Sequence, residues 1–138
     1  QIIGFKESEL LLQRQHGYRA IDKISKMVTE IQQQVSKIIE LLVERKFIEI
    51  ESITRGVRLP AEQIETAVDQ YGRILVIPPV DAFKLMDVIE IQNSSPASWS
   101  VNMPLWTKEE GRSDLTLELT LVREAAGFKV ELDDIHVL

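Results

Sequence analysis

The sequence predicts an α+β fold, in which N-terminal helices with a long first helix pack on a curved antiparallel sheet of about four to five strands. Apolar residues recur at steps of three and four up to residue 71, as in amphipathic helices, and after residue 85 they alternate with polar residues, as in strands. The chain has 138 residues, 44% hydrophobic and 28% charged, which is the size and composition of one globular domain. Helices followed by antiparallel strands define the α+β class.

The first helix is predicted between Tyr18 and Glu44, a stretch without glycine or proline. We expect its apolar stripe to pack across a sheet of the same domain. The stripe consists of Ile21, Ile24, Val28, Ile31, Val35, Ile38, Ile39 and Leu42. Residues 1–17 are predicted as an N-terminal extension and residues 18–138 as a single domain. The extension lacks a basic region followed by a long apolar core, so it does not read as a secretory signal, and we expect a cytoplasmic protein.

Two shorter helices are predicted next. The second carries the apolar residues Phe47, Ile50 and Ile53 and ends at Arg55-Gly56, since glycine is a common helix stop. The third begins near Pro60, whose missing N–H suits a first helical turn. Its buried face is predicted from Ile64, Ala67, Val68 and Tyr71, and Gly72 ends it. A short strand at residues 73–77 and one helical turn at residues 80–83 follow.

The remaining chain reads as strands. Alternation predicts strands over residues 85–91, 99–105, 114–122 and 128–137. The clearest strand has one leucine face, formed by Leu115, Leu117, Leu119 and Leu121. Pro104 predicts an edge position or a bulge near the end of its strand. The alternation of apolar and polar residues shifts by one position at Asp133-Asp134, which predicts a β-bulge or bend there.

The net charge of −6 lies entirely in the C-terminal part of the chain. Residues 1–80 carry 11 acids and 11 bases, whereas residues 81–138 carry 11 acids and 5 bases. Binding to a nucleic acid backbone requires clustered Lys and Arg, and acidic membrane surfaces attract the same residues. We therefore expect neither nucleic acid nor membrane as a ligand. A basic protein partner fits this charge.

The search for catalytic motifs yields no complete set of residues. The chain has no cysteine, which excludes a disulfide scaffold, a zinc ribbon and a thiol enzyme. No nucleophile elbow and no phosphate-binding glycine loop occurs. His136 with Asp133 and Asp134 matches no metal-binding motif. We therefore predict a protein without catalytic residues, metal or cofactor.

The most informative segment is Trp106–Asp114, a predicted loop that joins two strands and combines acids, bases and a tryptophan. On one interpretation it is structural: Arg112 pairs with an acid nearby, Gly111 makes the turn and Trp106 caps the core. On the other, an acidic rim beside an aromatic anchor binds a partner, because charge speeds encounter and a buried aromatic supplies affinity. The predicted partner-binding residues are Trp106, Glu109, Glu110, Arg112, Asp114, Glu118, Asp133 and Asp134.

Several stretches resemble a family of small, largely uncharacterised bacterial domains. They are W-T-K-E-E-G-R-S-D-L-T-L-E-L-T-L at Trp106–Leu121, D-D-I-H-V-L at the end, and L-P-A-E-Q-I and Q-Y-G-R earlier. The resemblance covers roughly the last 100 residues. Such acidic, cysteine-free domains are similar to immunity proteins of polymorphic-toxin and contact-dependent growth inhibition systems. That similarity implies a partner: the toxic domain of a cognate protein, which is basic and in many such systems a nuclease.

Two other functions stay open. A long helix in a curved sheet is the arrangement of the NTF2-like (cystatin-like) cone. By that analogy the domain is a small-molecule-binding protein or an enzyme, with its cavity between the long helix and the sheet. Alternatively, an exposed sheet face makes a homodimer interface.

Overall fold

The long first helix, α1, spans Tyr18–Val43, as predicted. The structure, a computed structural model, describes residues 18–138, and their side chains from residue 23 onward. The predicted extension and the side chain of Ile21 therefore lie outside the described residues. Five residues of the stripe, from Ile31 to Leu42, are buried, whereas Ile24 and Val28 are partly exposed and Met27 is buried instead. The helix forms because its apolar residues share one face that packs on the sheet.

Helix α2 spans Phe47–Thr54 and buries a different set of residues from the one predicted. Phe47 and Ile50 are buried, but Ile53 is 47% exposed and Thr54 is buried in its place. Around an α-helix, Phe47 and Thr54 lie about 60° and 40° to one side of Ile50, and Ile53 lies about 60° to the other. The buried Thr54 hydroxyl donates to the carbonyl of Ile50 at 2.8 Å, so its burial leaves no unpaired donor.

Helix α3 spans Ala61–Tyr71 and buries Ile64 and Val68, as predicted. Its first N–H, that of Ala61, donates to a carboxylate oxygen of Glu51 on α2 at 2.7 Å. This bond satisfies one of the donors that a helix start leaves unpaired and joins α2 to α3. Gly72 ends the helix with a φ of 73°, a conformation that glycine adopts without strain.

The predicted α+β class is confirmed: the helices pack against a curved, open, five-stranded antiparallel sheet. Strands β3, β4 and β5 form a meander, and β1 and β2 both pair with the other edge of β3. A 3₁₀-helix connects β1 to β2. The bounds are β1 Leu75–Val76, the 3₁₀-helix Val80–Leu85, β2 Asp87–Glu90, β3 Ser98–Thr107, β4 Gly111–Glu124 and β5 Gly127–Val137.

The proline of β3 lies where the sheet does not need its missing donor. Pro104 falls between the part of β3 that pairs with β1 and the part that pairs with β2. The bulge predicted near this proline is confirmed by a register shift between Pro104 and Trp106. The Ser113 hydroxyl fills the irregularity, donating to the Leu105 carbonyl at 2.8 Å and accepting the Leu115 N–H at 3.2 Å.

The bulge predicted in the last strand is also confirmed. Glu118 pairs with Asp134 and the next residue of β4, Leu119, pairs with Leu132, so Asp133 is the extra residue. The bulge lets Ile135 rejoin the buried face after an odd number of residues.

Apolar side chains fill the space between α1 and the sheet. The predicted leucine face of β4 is fully buried, and among residues 23–138 the buried polar side chains are serine and threonine only. No helix of residues 18–138 is long and apolar enough to cross a membrane.

Candidate functional site

The sheet face that the helices leave uncovered carries most of the predicted site. We call it the outer face. It is defined by the register of β2 to β5, in which directly paired residues point the same way. Its carboxylates are those of Asp87, Asp114, Glu118, Glu124, Glu131, Asp133 and Asp134.

The segment that was predicted as a loop is a tight hairpin instead. β3 continues to Thr107 and β4 begins at Gly111, so only Lys108, Glu109 and Glu110 form the turn. Arg112 and Asp114 belong to β4, where alternating polar residues are those of an outer strand face rather than of a loop. Gly111, the first residue of β4, follows the turn with a φ of 74°, a conformation that glycine adopts without strain.

Both acids of this turn hold the hairpin against the end of α3. The Glu109 carboxylate accepts the Ile74 N–H at 3.0 Å. The Glu110 carboxylate accepts the Tyr71 hydroxyl at 2.9 Å and the Thr107 hydroxyl at 3.0 Å. Three effects raise the pKa of Tyr71 above its ordinary value of 10.0: desolvation, the hydrogen bond that its hydroxyl donates to Glu110, and the negative charge of Glu110. Glu109 and Glu110 thus have a structural task.

Trp106 does not project from the hairpin as an exposed anchor. It is half-buried, packs against the hydrophobic core and pairs across the sheet with Arg112 and Val76. Trp106 thus contacts the core and lies next to Arg112 at the hairpin end of the sheet.

A groove of about 360 Å³ crosses the outer face beside β2. Arg112 and Asp114 line it, together with Asp87 from β2, and both aspartates are exposed. The remaining walls combine an apolar rim with hydroxyl and amide groups, contributed by Leu85, Asn102, Pro104, Ser113, Thr116 and Leu138. The groove therefore offers carboxylates next to apolar surface.

Glu118, Asp134 and His136 meet on the outer face of β4 and β5. Glu118 and Asp134 are a cross-strand pair. The Nδ1 atom of His136 lies 3.7 Å from a Glu118 oxygen and 3.4 Å from an Asp134 oxygen. Among residues 18–138, no group of three or more potential ligand side chains is arranged to hold a metal ion.

Asp133, the bulge residue, is the most enclosed of the predicted acids. Its side chain is 13% exposed, and the Nε of Arg58, from the α2–α3 loop, lies 2.9 Å from Oδ1. The other oxygen accepts the Thr120 hydroxyl. Desolvation nevertheless dominates and raises the pKa of the Asp133 carboxyl above 3.8, with Glu131 and Asp134 adding to the shift.

The structure thus divides the predicted residues into two groups. Trp106, Glu109 and Glu110 lie at the hairpin end, and the others line or border the outer face. Sequence reasoning missed Asp87 and Glu131. The alternation of β5 placed Glu131 opposite the apolar face, whereas Asp87 shares its face with Leu85, Ile89 and Ile91, so alternation alone did not assign it to the outer face. It also missed Arg58, whose approach to β5 depends on a loop that carries no sequence signal for it.

One comparison with known proteins identifies a family. A family model described as a domain of unknown function (DUF7668) matches residues 39–138, which include all five strands. No curated protein and no solved structure matches the chain. Since the match spans well over half of the chain, the chain belongs to the DUF7668 family.

Proposed function

We propose that this domain is a non-enzymatic binding protein, an immunity protein that binds and neutralises a cognate bacterial toxin domain through the outer face. The partner is a basic protein surface. In this function the domain occludes the active site of the toxin and needs no catalytic residue or cofactor of its own.

The observation that carries the proposal is the charge of the outer face. Seven carboxylates lie there, against the three bases Arg58, Arg112 and Lys129, which leaves a formal charge of −4 with histidine neutral. Such a surface attracts a basic partner over a Debye length and repels nucleic acid. The groove adds apolar surface beside Asp87 and Asp114, which a purely electrostatic contact lacks.

The packed interior supports binding rather than catalysis. The alternative function, a small-molecule binder or enzyme of the NTF2-like type, requires a cavity between α1 and the sheet. Apolar side chains such as Ile31, Val35, Leu117 and Leu119 occupy that space, each at most 1% exposed. A general acid or base in such a cavity needs an inward Asp, Glu or His, and the buried polar residues among 23–138 are serine and threonine.

The proposed site of action is the cytoplasm, where an incoming toxin reaches its target. The absence of cysteine fits a reducing compartment.

Gene neighbourhood and growth rescue test the function. We expect a reading frame for a large toxin beside the gene for this chain, and the experiment expresses the C-terminal domain of that toxin from an inducible promoter. We expect co-expression of the full chain to restore growth. Asp114→Lys with Glu118→Lys should abolish rescue, because it changes the charge of the outer face by +4.

The matched control is Glu40→Lys with Glu44→Lys, which makes the same change of charge at exposed positions of the helical layer. This variant should rescue growth fully. Circular dichroism checks that both variants are folded. If the folded outer-face variant still rescues growth fully, the proposal is contradicted.

A further inference from the structure

The groove on the outer face has a largely apolar floor. Pro104 of β3 and Thr116 of β4 form this floor, since they pair directly and both line the groove. Both residues are buried, although no helix covers this face of the sheet. Leu85 lines the groove from the β2 side, where it is 44% exposed, and Leu138 lines it from the β5 side. The groove therefore presents apolar surface on a face that is otherwise polar.

Two carboxylates lie on opposite sides of this floor. Asp87 pairs with Asn102, which precedes the floor residue of β3 by two positions. Asp114 precedes the floor residue of β4 by two positions, and the two strands are antiparallel. Arg112 also lines the groove, but it lies a further two residues from the floor along β4, a distance of about 7 Å. The floor is thus flanked by acids, with the base at the far end.

The two carboxylates of the groove have no basic partner within the domain. Among residues 23–138, no basic side chain forms an ion pair with Asp87 or Asp114, and both residues are exposed. Their negative charge is therefore available to a ligand.

Most other acids of the outer face already contact a base of the chain. They are Glu118 and Asp134 beside His136, Glu131 beside Lys129, and Asp133 beside Arg58. The Asp134 carboxylate also accepts the Ile135 N–H at 2.9 Å. Glu124 lies in the β4–β5 hairpin, outside the groove. The groove is thus the part of the outer face where unpaired carboxylates and apolar surface occur together.

This combination fits an arginine side chain. Arginine lays its aliphatic stem on apolar surface while its charged head meets carboxylates. Its guanidinium is weakly hydrated and carries five donors, which suits an interface with two carboxylates and the amide oxygen of Asn102. A second copy of this chain is a poor occupant, because two outer faces of the same negative charge repel each other.

We propose that the groove is the pocket for one arginine side chain of the protein partner. The stem lies on the floor beside Leu85, and the carboxylates of Asp87 and Asp114 bind the guanidinium. The inference rests on the proposed function, for which it names the residue type that anchors the basic partner. Arginine buried in such a pocket is a common centre of binding energy in protein interfaces.

The experiment titrates the ¹⁵N-labelled full chain with acetyl-arginine-amide and follows the backbone amide shifts. We expect saturable shifts at Asn102 and Thr116, the groove residues in the middle of the sheet. Acetyl-citrulline-amide has the same stem without the charge, and methylguanidinium has the charge without the stem. Each should bind about tenfold more weakly than acetyl-arginine-amide.

Two double variants separate the groove from the rest of the outer face. Asp87→Asn with Asp114→Asn removes two charges inside the groove and should weaken binding of acetyl-arginine-amide about tenfold. Glu118→Gln with Asp134→Asn removes two charges of the same face outside the groove and should weaken it about twofold. Leu85→Ala keeps every charge and should weaken binding about threefold, because it removes part of the apolar wall.

Equal weakening by the two double variants overturns the proposal, since the probe then responds to overall charge alone. So does binding of acetyl-citrulline-amide as tight as that of acetyl-arginine-amide. Shifts of the groove amides with protein concentration in the absence of a probe also overturn it, because a second copy then occupies the groove. Full growth rescue by the groove variant removes the groove from the interface. Loss of rescue by Asp114→Lys with Glu118→Lys would still leave the outer-face function standing.

Discussion

At the scale of single residues, Asp133 shows how an irregular backbone creates an unusual carboxylate. The bulge places it between Thr120 and the guanidinium of Arg58, with Glu131 close by on the same strand. Desolvation raises its pKa despite both favourable partners. The parity shift in the sequence predicted the bulge, since the alternation of apolar residues in a strand is strict. The approach of Arg58 was beyond prediction, because loop conformation sets it.

The raised pKa makes the stability of the fold depend on pH. A carboxyl with a higher pKa in the folded state binds more protons there, so its contribution to stability falls as pH rises from 3.8 through the raised folded value. We expect Asp133→Asn to remove this fall, so that the variant gains stability relative to the unmodified chain as pH increases. Urea unfolding at a series of pH values measures the free energy of unfolding of the variant and of the unmodified chain.

Thr120→Val is the control for this prediction. The Thr120 hydroxyl lowers the pKa of Asp133. Its removal should therefore raise this pKa further, so that the fall in stability continues to higher pH. A difference between Asp133→Asn and the unmodified chain that stays constant with pH contradicts the assignment.

At the scale of elements, the periodicity of apolar residues in the sequence agrees with the burial of helix and strand faces in the structure. Helix α1 and strand β4 were predicted correctly because each buries one complete face. The hairpin between β3 and β4 was not, because charged residues on an outer strand face resemble a loop in sequence. In α2 the three apolar residues Phe47, Ile50 and Ile53 have helical spacing. The helix is so short that its packing against the core decides which side is buried, and Thr54 is buried while Ile53 is exposed.

Strand β4 supplies the centre of the core, and we expect Leu117→Ala to be strongly destabilising. Leu117 is 0% exposed and lies between the facing residues Met103 and Ile135. Removing its side chain loses transfer free energy and leaves a cavity, which lowers the free energy of unfolding by about 2–5 kcal/mol. Urea unfolding measures this value.

Ile48→Ala provides the comparison, since Ile48 is 78% exposed. Its effect should stay within about 0.5 kcal/mol. Similar losses for the two variants would contradict the central position of β4.

At the scale of the whole molecule, topology converts a charge imbalance into a surface. The sequence placed the excess acids in residues 81–138, and the register of β2 to β5 gathers seven of them on the outer face. The composition predicted the sign of that surface. Its location required the successive pairing of β2 with β3, β3 with β4 and β4 with β5. This pairing brings to one face residues as far apart in sequence as Asp87 and Asp134, which are 47 positions apart, and no local pattern specifies it.

The surface charge predicts how a basic partner associates. Raising the ionic strength from about 0.05 to 0.5 M should slow association with the toxin domain by about tenfold and change dissociation little, because screening acts on long-range attraction. Stopped-flow fluorescence separates the two rates. The variant with Asp114→Lys and Glu118→Lys should lose most of this salt dependence, and an unchanged dependence would place the contact elsewhere.

The carboxylate that Asp134 holds against the Ile135 N–H also bears on handling of the molecule in acid. Near the isoelectric point of about 5.0 the overall repulsion between molecules vanishes. The Asp134 carboxylate on the Ile135 N–H then stays as a local obstacle to fibril-like pairing along β5. Neutral storage buffers add the repulsion of the net charge to this obstacle.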